Sequence, residues 1–492
     1  MSDNVSFREI PDDIRVPYQA TEISGVRADA TAPGLPHKIV LVGQKLAAGT
    51  ALPGVEVVVQ NPDQVAKLAG RGSMLHHIAI EAKRANPYAQ MTMVPVIDLP
   101  AGAAATGTLS FTGPATAAGT IPMYIDGNRI QVGVSQGDTA AMIAANVAIQ
   151  INAAVDLPMS VPVAPTAGSV ALVARHKGEC GNDLDVRFAA NYGESMPSGV
   201  GVTITAMNGG SGNPDVAPLL AAISGSDRIR LVMPWTDSAN IAAAEADFDV
   251  RYGPMVKQES HLFACVSGSF GSLTTYGDNR NNINSTVFWR EGNMVAPYRL
   301  AARAAGLVSM RGASDPARPY HGMVLTGIPA PAERDRGTLA EHNALLKKGI
   351  STFKYGAGGE VMIEMVCTTY KTNSFGMPTK SYFKINSKWG ADYFRFRWDA
   401  LIAQRYPDFK ICDDDTDFAP GQPMVSPSVL RGEAFGLYKD LEYTGQVEQT
   451  ESFKETLIML RSIANVNQMN AVMAPNLVNQ FDVMATMIEF IN

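Results

Sequence analysis

The sequence predicts a multidomain chain of mixed α/β (α+β) class, with an inserted mainly β domain and an extended arm at each end. Three observations carry this reading. Short apolar runs at residues 38–42 (KIVLV), 228–233 (RIRLVM) and 262–267 (LFACVS) read as buried strands, and helical stretches alternate with them, which is the pattern of a parallel sheet with crossover helices. From 101 to 214 the texture shifts to Gly, Ala, Thr and Val with few charges, broken into short strand-like pieces. From Gln480 onward apolar residues crowd both faces of a strand pattern, with Phe481, Val483, Met487 and Ile491 on one of them.

The elements follow in order. Residues 6–18 (SFREIPDDIRVPY) are short, polar and punctuated by proline; Phe7, Ile10, Ile14 and Val16 are scattered through an extended arm. After the strand at 38–42, Asn61-Pro62-Asp63 starts a helix, Gly70-Arg71-Gly72 interrupts it, and Ser73 caps a second helix through Arg84. A buried strand follows at 91–99. In the insert, strands are expected at 108–111, 122–125 and 129–134, with Asp126-Gly127 as the hairpin turn between the last two. Asp138 is the expected N-cap of a helix carrying Ile143, Val147 and Ile151, and strands follow at 169–174, 184–188 and 201–206. The run 209–214 (GGSGNP) closes the insert as a linker.

Beyond it, Asp237 caps a helix through about Tyr252, an Ala-rich helix spans 297–310, and Thr338-Leu339-Ala340-Glu341 is a capping box. Residues 360–369 read as a long strand and 388–406 as a helix stopped by Pro407. Ser426-Pro427 opens a helix with Leu430, Ala434, Leu437 and Leu441 inward, and 456–460 is a strand. The final strand follows Pro475. Bare in water it would be an aggregation-prone edge, so it must complete a sheet, its own or another subunit's. Two extended ends on one chain point to strand exchange between copies, and hence a polymer.

Composition bounds the function. A chain of 492 residues has room for about three domains. Its charged fraction, 18%, is below the roughly 25% of typical soluble domains, which suits a surface covered in an assembly. The net charge is −7 and no Lys/Arg run occurs, so no direct nucleic-acid contact is expected. The first residues are polar and acidic, unlike a signal peptide, and no apolar run reaches the roughly 18 residues of a membrane helix. Folding in the cytoplasm and no membrane insertion are therefore expected. Cys180, Cys265, Cys367 and Cys412 are widely spaced and read as buried apolar residues, neither a disulfide framework nor a zinc site.

Motifs for chemistry are sparse. No P-loop, HExxH or GxSxG occurs, and Gly356-Ala357-Gly358-Gly359 precedes a strand instead of linking strand to helix. His76 and His77 are adjacent, so on a helix they diverge by about 100° and do not chelate together. Asp413, Asp414, Asp415 and Asp417 resemble a calcium loop only in part, since Phe418 and Met424 occupy the positions where Gly and Glu are needed; a solvated turn is the reading. Arg395, Arg397 and Arg405 precede this cluster and could pair with Asp413 and Asp414 within the subunit or across an interface. No cofactor, metal or catalytic set is assigned, and an enzyme is not expected.

Several segments, in order along the chain, resemble the tail sheath proteins of contractile-tailed bacteriophages, in their Mu-like branch. Residues 359–364 (GEVMIE) leading to 368–373 (TTYKTN) look like that family's strand and turn. Arg405-Tyr406-Pro407 before Asp413-Asp414, the 421–427 helix start (GQPMVSP), and 475–481 (PNLVNQF) have counterparts there too. So do Arg15-Val16-Pro17 and, in the insert, 174–178 (ARHKG) with Gly181-Asn182. The resemblance implies an N-terminal arm (1–25), an outer α/β domain in two parts (26–100 and 215–352), a peripheral insert (101–214), an inner α+β domain facing the tail tube (353–475) and a C-terminal arm strand (476–492). Part of the outer domain is likened in that family to subtilisin, but no subtilisin catalytic motif is recognisable here.

The resemblance further implies stacked hexameric rings around a tail tube, contracting to drive it through the host envelope. The implied partners are other copies of the chain, the tube protein, and baseplate and tail terminator proteins. The implied location is the virion tail, after assembly in host cytoplasm. The sheath of a phage-derived bacteriocin or secretion-type device is the nearest alternative reading; a subtilisin-like hydrolase and a host-binding adhesin are remote ones.

Overall fold

The apolar runs form the centre of a nine-stranded sheet in the computed structural model, which describes residues 37–223 and 228–491. The expected N-terminal arm residues Phe7, Ile10, Ile14 and Val16 lie outside the described residues. Across the sheet the strands run Val324–Pro329, Glu360–Met365, Ile350–Tyr355, Ser285–Trp289, His261–Val266, Arg228–Val232, His37–Gln44, Gln90–Val96 and Val57–Val59. The six central pairing strands, from Ile350–Tyr355 to Gln90–Val96, are mutually parallel; the flanking ones are antiparallel. Parallel strands are covered on both faces, which is why these runs are apolar throughout instead of alternating. Ile39, Leu41 and Phe263 face a core shared with Leu75, Ile78 and Ala301, while Val40, Val42 and Leu262 face another shared with Leu219, Ile241 and Phe248.

Helices Met74–Ala85 and Pro297–Ser314 cover the first face. They approach closely at Gly306, where a Cβ would stand 2.5 Å from that of Ala85. The expected caps form: Asn61 accepts from the Gln64 N–H, Ser73 from His76, Asp237 from Asn240, and Thr338 with Glu341 closes a capping box. In the insert the helix Ala140–Ala153 is capped by Thr139; the Asp138 carboxylate accepts the Ser135 N–H instead, so the expected cap is displaced by one residue.

The described chain divides into two compact units, 37–400 with 479–491 and 401–478. The expected boundary at residue 353 falls inside the large sheet. Ile350–Tyr355 extends that sheet, and Glu360–Met365 folds back on it. The anticipated strand 360–369 ends at Met365, after which the Thr369 N–H bonds to Ser285 O at 3.0 Å. The helix expected from Lys388 begins at Ile385.

The insert has a four-stranded antiparallel sheet (Gly201–Asn208, Ala104–Thr112, Ser169–Lys177, Met159–Ser160) and a three-stranded one (Asn128–Val134, Gly119–Ile125, Val186–Phe188). Its Asp126-Gly127 turn has φ of 49° and 75°, the left-handed pair a two-residue hairpin demands. The turn is buried. Asp126 accepts the Ala296 N–H at 2.6 Å and the Arg299 guanidinium at 2.9 Å, and a Cβ on Gly127 would stand 2.7 Å from Val295. Arg299 also reaches Glu81 (2.6 Å), which Arg303 grips from its other side (3.0 Å). Two carboxylates and two guanidinium groups thus neutralise one another in the core. Burial alone would raise the Glu81 pKa, but Arg299 and Arg303 hold it below the usual carboxylate range.

A second buried charge cluster clamps the far side of the sheet. His342 lies between Glu291 (2.7 Å) and Glu364 (2.6 Å), and Glu291 also accepts the Tyr355 hydroxyl at 2.6 Å. Burial disfavours the imidazolium, yet hydrogen bonds to both carboxylates outweigh it and raise the pKa to about 10.

Two outcomes follow. Glu81→Ala leaves Arg303 buried without its carboxylate and Arg299 with Asp126 alone, so chemical denaturation of unassembled subunits will show a loss of about 3–5 kcal/mol. The stabilisation by His342 is fully present below its unfolded pKa of about 6.5 and disappears as pH rises through about 10. His342→Gln will therefore flatten the decline in melting temperature measured across that window.

Candidate functional site

The residues singled out for assembly fall in both units, and each unit is described by itself. In the 401–478 unit, helix Pro427–Tyr443 buries Leu430, Ala434, Leu437 and Leu441, as its spacing predicts. Tyr438 stacks on Phe453 (3.9 Å between centroids) and donates to Glu448 O at 2.7 Å. The same hydroxyl accepts the Asn476 N–H at 3.1 Å. Glu448 N donates to Asn476 O and Val478 N to Gln446 O, so residues 476–478 lie antiparallel beside 446–448. The start of the arm, at 476–478, is thus tied to its own unit.

The strand expected at 456–460 is Ile458–Arg461, preceded by helix Thr450–Thr456 and paired antiparallel with Met469–Val472 in a two-stranded sheet. Met459 faces inward and is buried, while Ile458, Leu460 and Val472 are half-exposed or more; Ile463, in the connecting turn, is fully exposed. A lone two-stranded ribbon is marginal in water. This one is backed by helix Pro427–Tyr443 and carries an apolar outer face.

The charged candidates find partners within the chain, but not one another. Arg405 pairs with Glu433, which also accepts the Tyr406 hydroxyl. Asp413 pairs with Arg461 at 3.1 Å, and Asp414 accepts the Ser428 N–H at 2.8 Å, the bond that depresses its pKa. Arg395 donates to Tyr252 O and approaches Glu259 at 3.4 Å, and Arg397 donates to the Tyr393 hydroxyl. The sequence supplied both charge signs but not these partners; Glu259 lies 136 residues from Arg395, and Arg461 lies 48 from Asp413.

The C-terminal arm is expected to complete a sheet, of its own chain or of another subunit. Among the described residues no strand forms over 480–491. Phe481 (73%), Val483 (82%), Met487 (81%) and Ile491 (99%) are exposed, as are Met484, Ile488 and Phe490. At about 25 cal/mol per Å², so much uncovered apolar surface favours burial by a partner strongly.

In open parallel sheets, ligands bind outside the carboxyl ends of the strands. Here the insert occupies that crevice. Gln44 donates to Lys177 O at 2.7 Å and Cys180 to Pro234 O at 3.3 Å, leaving a cavity of about 100 Å³ lined by Glu179, Asp183, Cys265 and Tyr298. The Cys180 and Cys265 thiols are pushed up by burial, away from nucleophilic thiolate.

Residues 209–369 match the family model for the phage tail sheath protein central domain. Over 489 residues the chain is 34% identical to the Mu-like prophage FluMu tail sheath protein of Haemophilus influenzae, covering 99% of this chain and 100% of that protein. The chain belongs to the Mu-like phage tail sheath family. Among solved structures, the sheath tail protein of Desulfitobacterium hafniense is 13% identical at a TM-score of 0.47, covering 94% of this chain and 100% of that one. A chain of the contracted sheath complex of an extracellular contractile injection system is 8% identical at a TM-score of 0.48, covering 96% and 98%.

Within this sheath chain the Tyr438 hydroxyl is the shared tie at residue 476. Tyr438→Phe removes both of its hydrogen bonds, each worth about 0.5–1.5 kcal/mol. Amide exchange at Asn476 will accelerate by about tenfold, while the helix Pro427–Tyr443 keeps its protection.

Proposed function

We propose that this chain is the structural subunit of a contractile tail sheath, stacked as hexameric rings around a tail tube and contracting to drive the tube through the host cell envelope. The single observation that carries the reading is the C-terminal arm: apolar on both faces, exposed, and without a strand partner among the described residues, in a protein whose full-length relative is a tail sheath.

The energetics favour exchange between copies. About eight main-chain hydrogen bonds, each worth about 0.5–1.5 kcal/mol, nearly cancel the roughly 1–2 kcal/mol per residue that ordering the arm requires. Side-chain burial decides: Phe481, Val483, Met487 and Ile491 add about 1.5–3 kcal/mol each. The acceptor in this proposal is the ribbon Ile458–Arg461/Met469–Val472 of a neighbouring copy, which has two open edges and an apolar outer face. Strand addition fixes register through side chains while leaving subunit bodies free to rotate as rigid units. Phe7, Ile10, Ile14 and Val16 of the N-terminal segment are proposed for the other edge. The tube, baseplate and tail terminator proteins complete the proposed partner set in the virion tail, after assembly in the host cytoplasm.

Negative-stain microscopy of the purified protein will show striated tubes or stacked rings. Val483→Asp combined with Met487→Asp places two charges in the docked strand and will leave folded, soluble subunits that form none. Tubes of ordinary length from that variant would overturn the proposal.

A further inference from the structure

The arm is not uniform along its length. Asp482 pairs with Lys384, just before helix Ile385–Arg405, and the Gln480 side-chain amide donates to Ala317 O at 3.0 Å. Both docking points are built into the body. Lys384 is bridged through its backbone to buried Cys367. The loop presenting Ala317 is held on either side by the buried Asn386 amide, which donates to Pro316 O (2.8 Å) and Arg318 O (2.9 Å). Phe481, between the two docked residues, is 73% exposed, and from Val483 (82%) onward the apolar residues are exposed as well.

We propose that the arm has a fixed root and a free tip: residues 480–482 stay latched on their own subunit in the assembly, and only the residues from Val483 onward exchange. This rests on the reading of the arm as an exchanged strand and deepens it, taking Phe481 out of the exchanged set and leaving Val483, Met487 and Ile491 to supply the buried apolar surface. The flexing point in this proposal is the Asp482–Val483 bond. The tip, residues 483–491, spans up to about 30 Å when fully extended, so the acceptor edge on a second copy must lie within about that distance of Lys384. A fixed root also fixes the direction of departure, so Lys384 and Asp482 act as positioning residues that select which neighbour is reached.

The test uses the full-length chain with Lys384→Cys and Asp482→Cys joined by a short bis-maleimide bridge, after single-cysteine controls. The latch predicts that the bridge forms within single soluble subunits and that bridged subunits build tubes as fully as unbridged ones. It also predicts that Asp482→Lys slows tube growth and that adding Lys384→Asp restores it. Failure of the bridge to form, or bridged subunits that remain soluble, would overturn the latch, as would a swap that rescues nothing. A parallel deletion of 483–492 tests the underlying reading: loss of tubes supports it. Persistence of tubes would overturn the exchanged-strand reading itself, whatever the bridge does.

Discussion

Arg299 is shared by two carboxylates from different parts of the chain, Glu81 on the helix that covers the sheet and Asp126 in the turn of the insert. An unpaired guanidinium in such a place would cost several kcal/mol, so the three groups must be present together. With Arg303 completing the neutral set, this cluster fixes the long helix to its neighbour and the insert to both. The insert then sits over the carboxyl ends of the parallel strands, where an enzyme of this topology would hold its ligand. The fold spends that crevice on rigidity.

A rigid body is what an exchanged arm requires. The described residues place apolar side chains in two buried cores, but from Val483 onward they are exposed. The same physics applies to both cases; only the source of the covering surface differs. In the body it comes from the chain itself. In the arm, on the proposed reading, it comes from another copy, and the two-stranded ribbon with its exposed Ile458, Leu460 and Val472 is in the converse position, an apolar ribbon of only two strands among the described residues. The family relationship gives this complementarity a setting, since a sheath is many copies of one chain.

Much of the architecture was legible because it rests on local rules. Buried parallel strands are apolar runs: 38–42 lies within a strand of the sheet, and 228–233 and 262–267 each overrun theirs by one residue. Helix caps need only a short side chain at one position, and Asn61, Ser73, Asp237 and Thr338 serve as read. Asp126-Gly127 announced a hairpin turn, but nothing local announced that it would be buried against a helix some 170 residues away. Arg299 and Arg303 were hidden in an Ala-rich helix for the same reason: charge pairing across such separations leaves no periodic signal. The strand Ser285–Trp289, which starts with two hydroxyl residues, was also missed because its polar start bonds to neighbouring segments instead of following an apolar pattern. The arm's strand pattern was readable, but the pairing proposed for it lies with another copy.

Amide hydrogen exchange over residues 483–491, compared between soluble subunits and assembled tubes, bears most directly on strand exchange. The account predicts rapid exchange in the free subunit and protection in the tube in the pattern of a paired strand. Equal, rapid exchange in both states would contradict it.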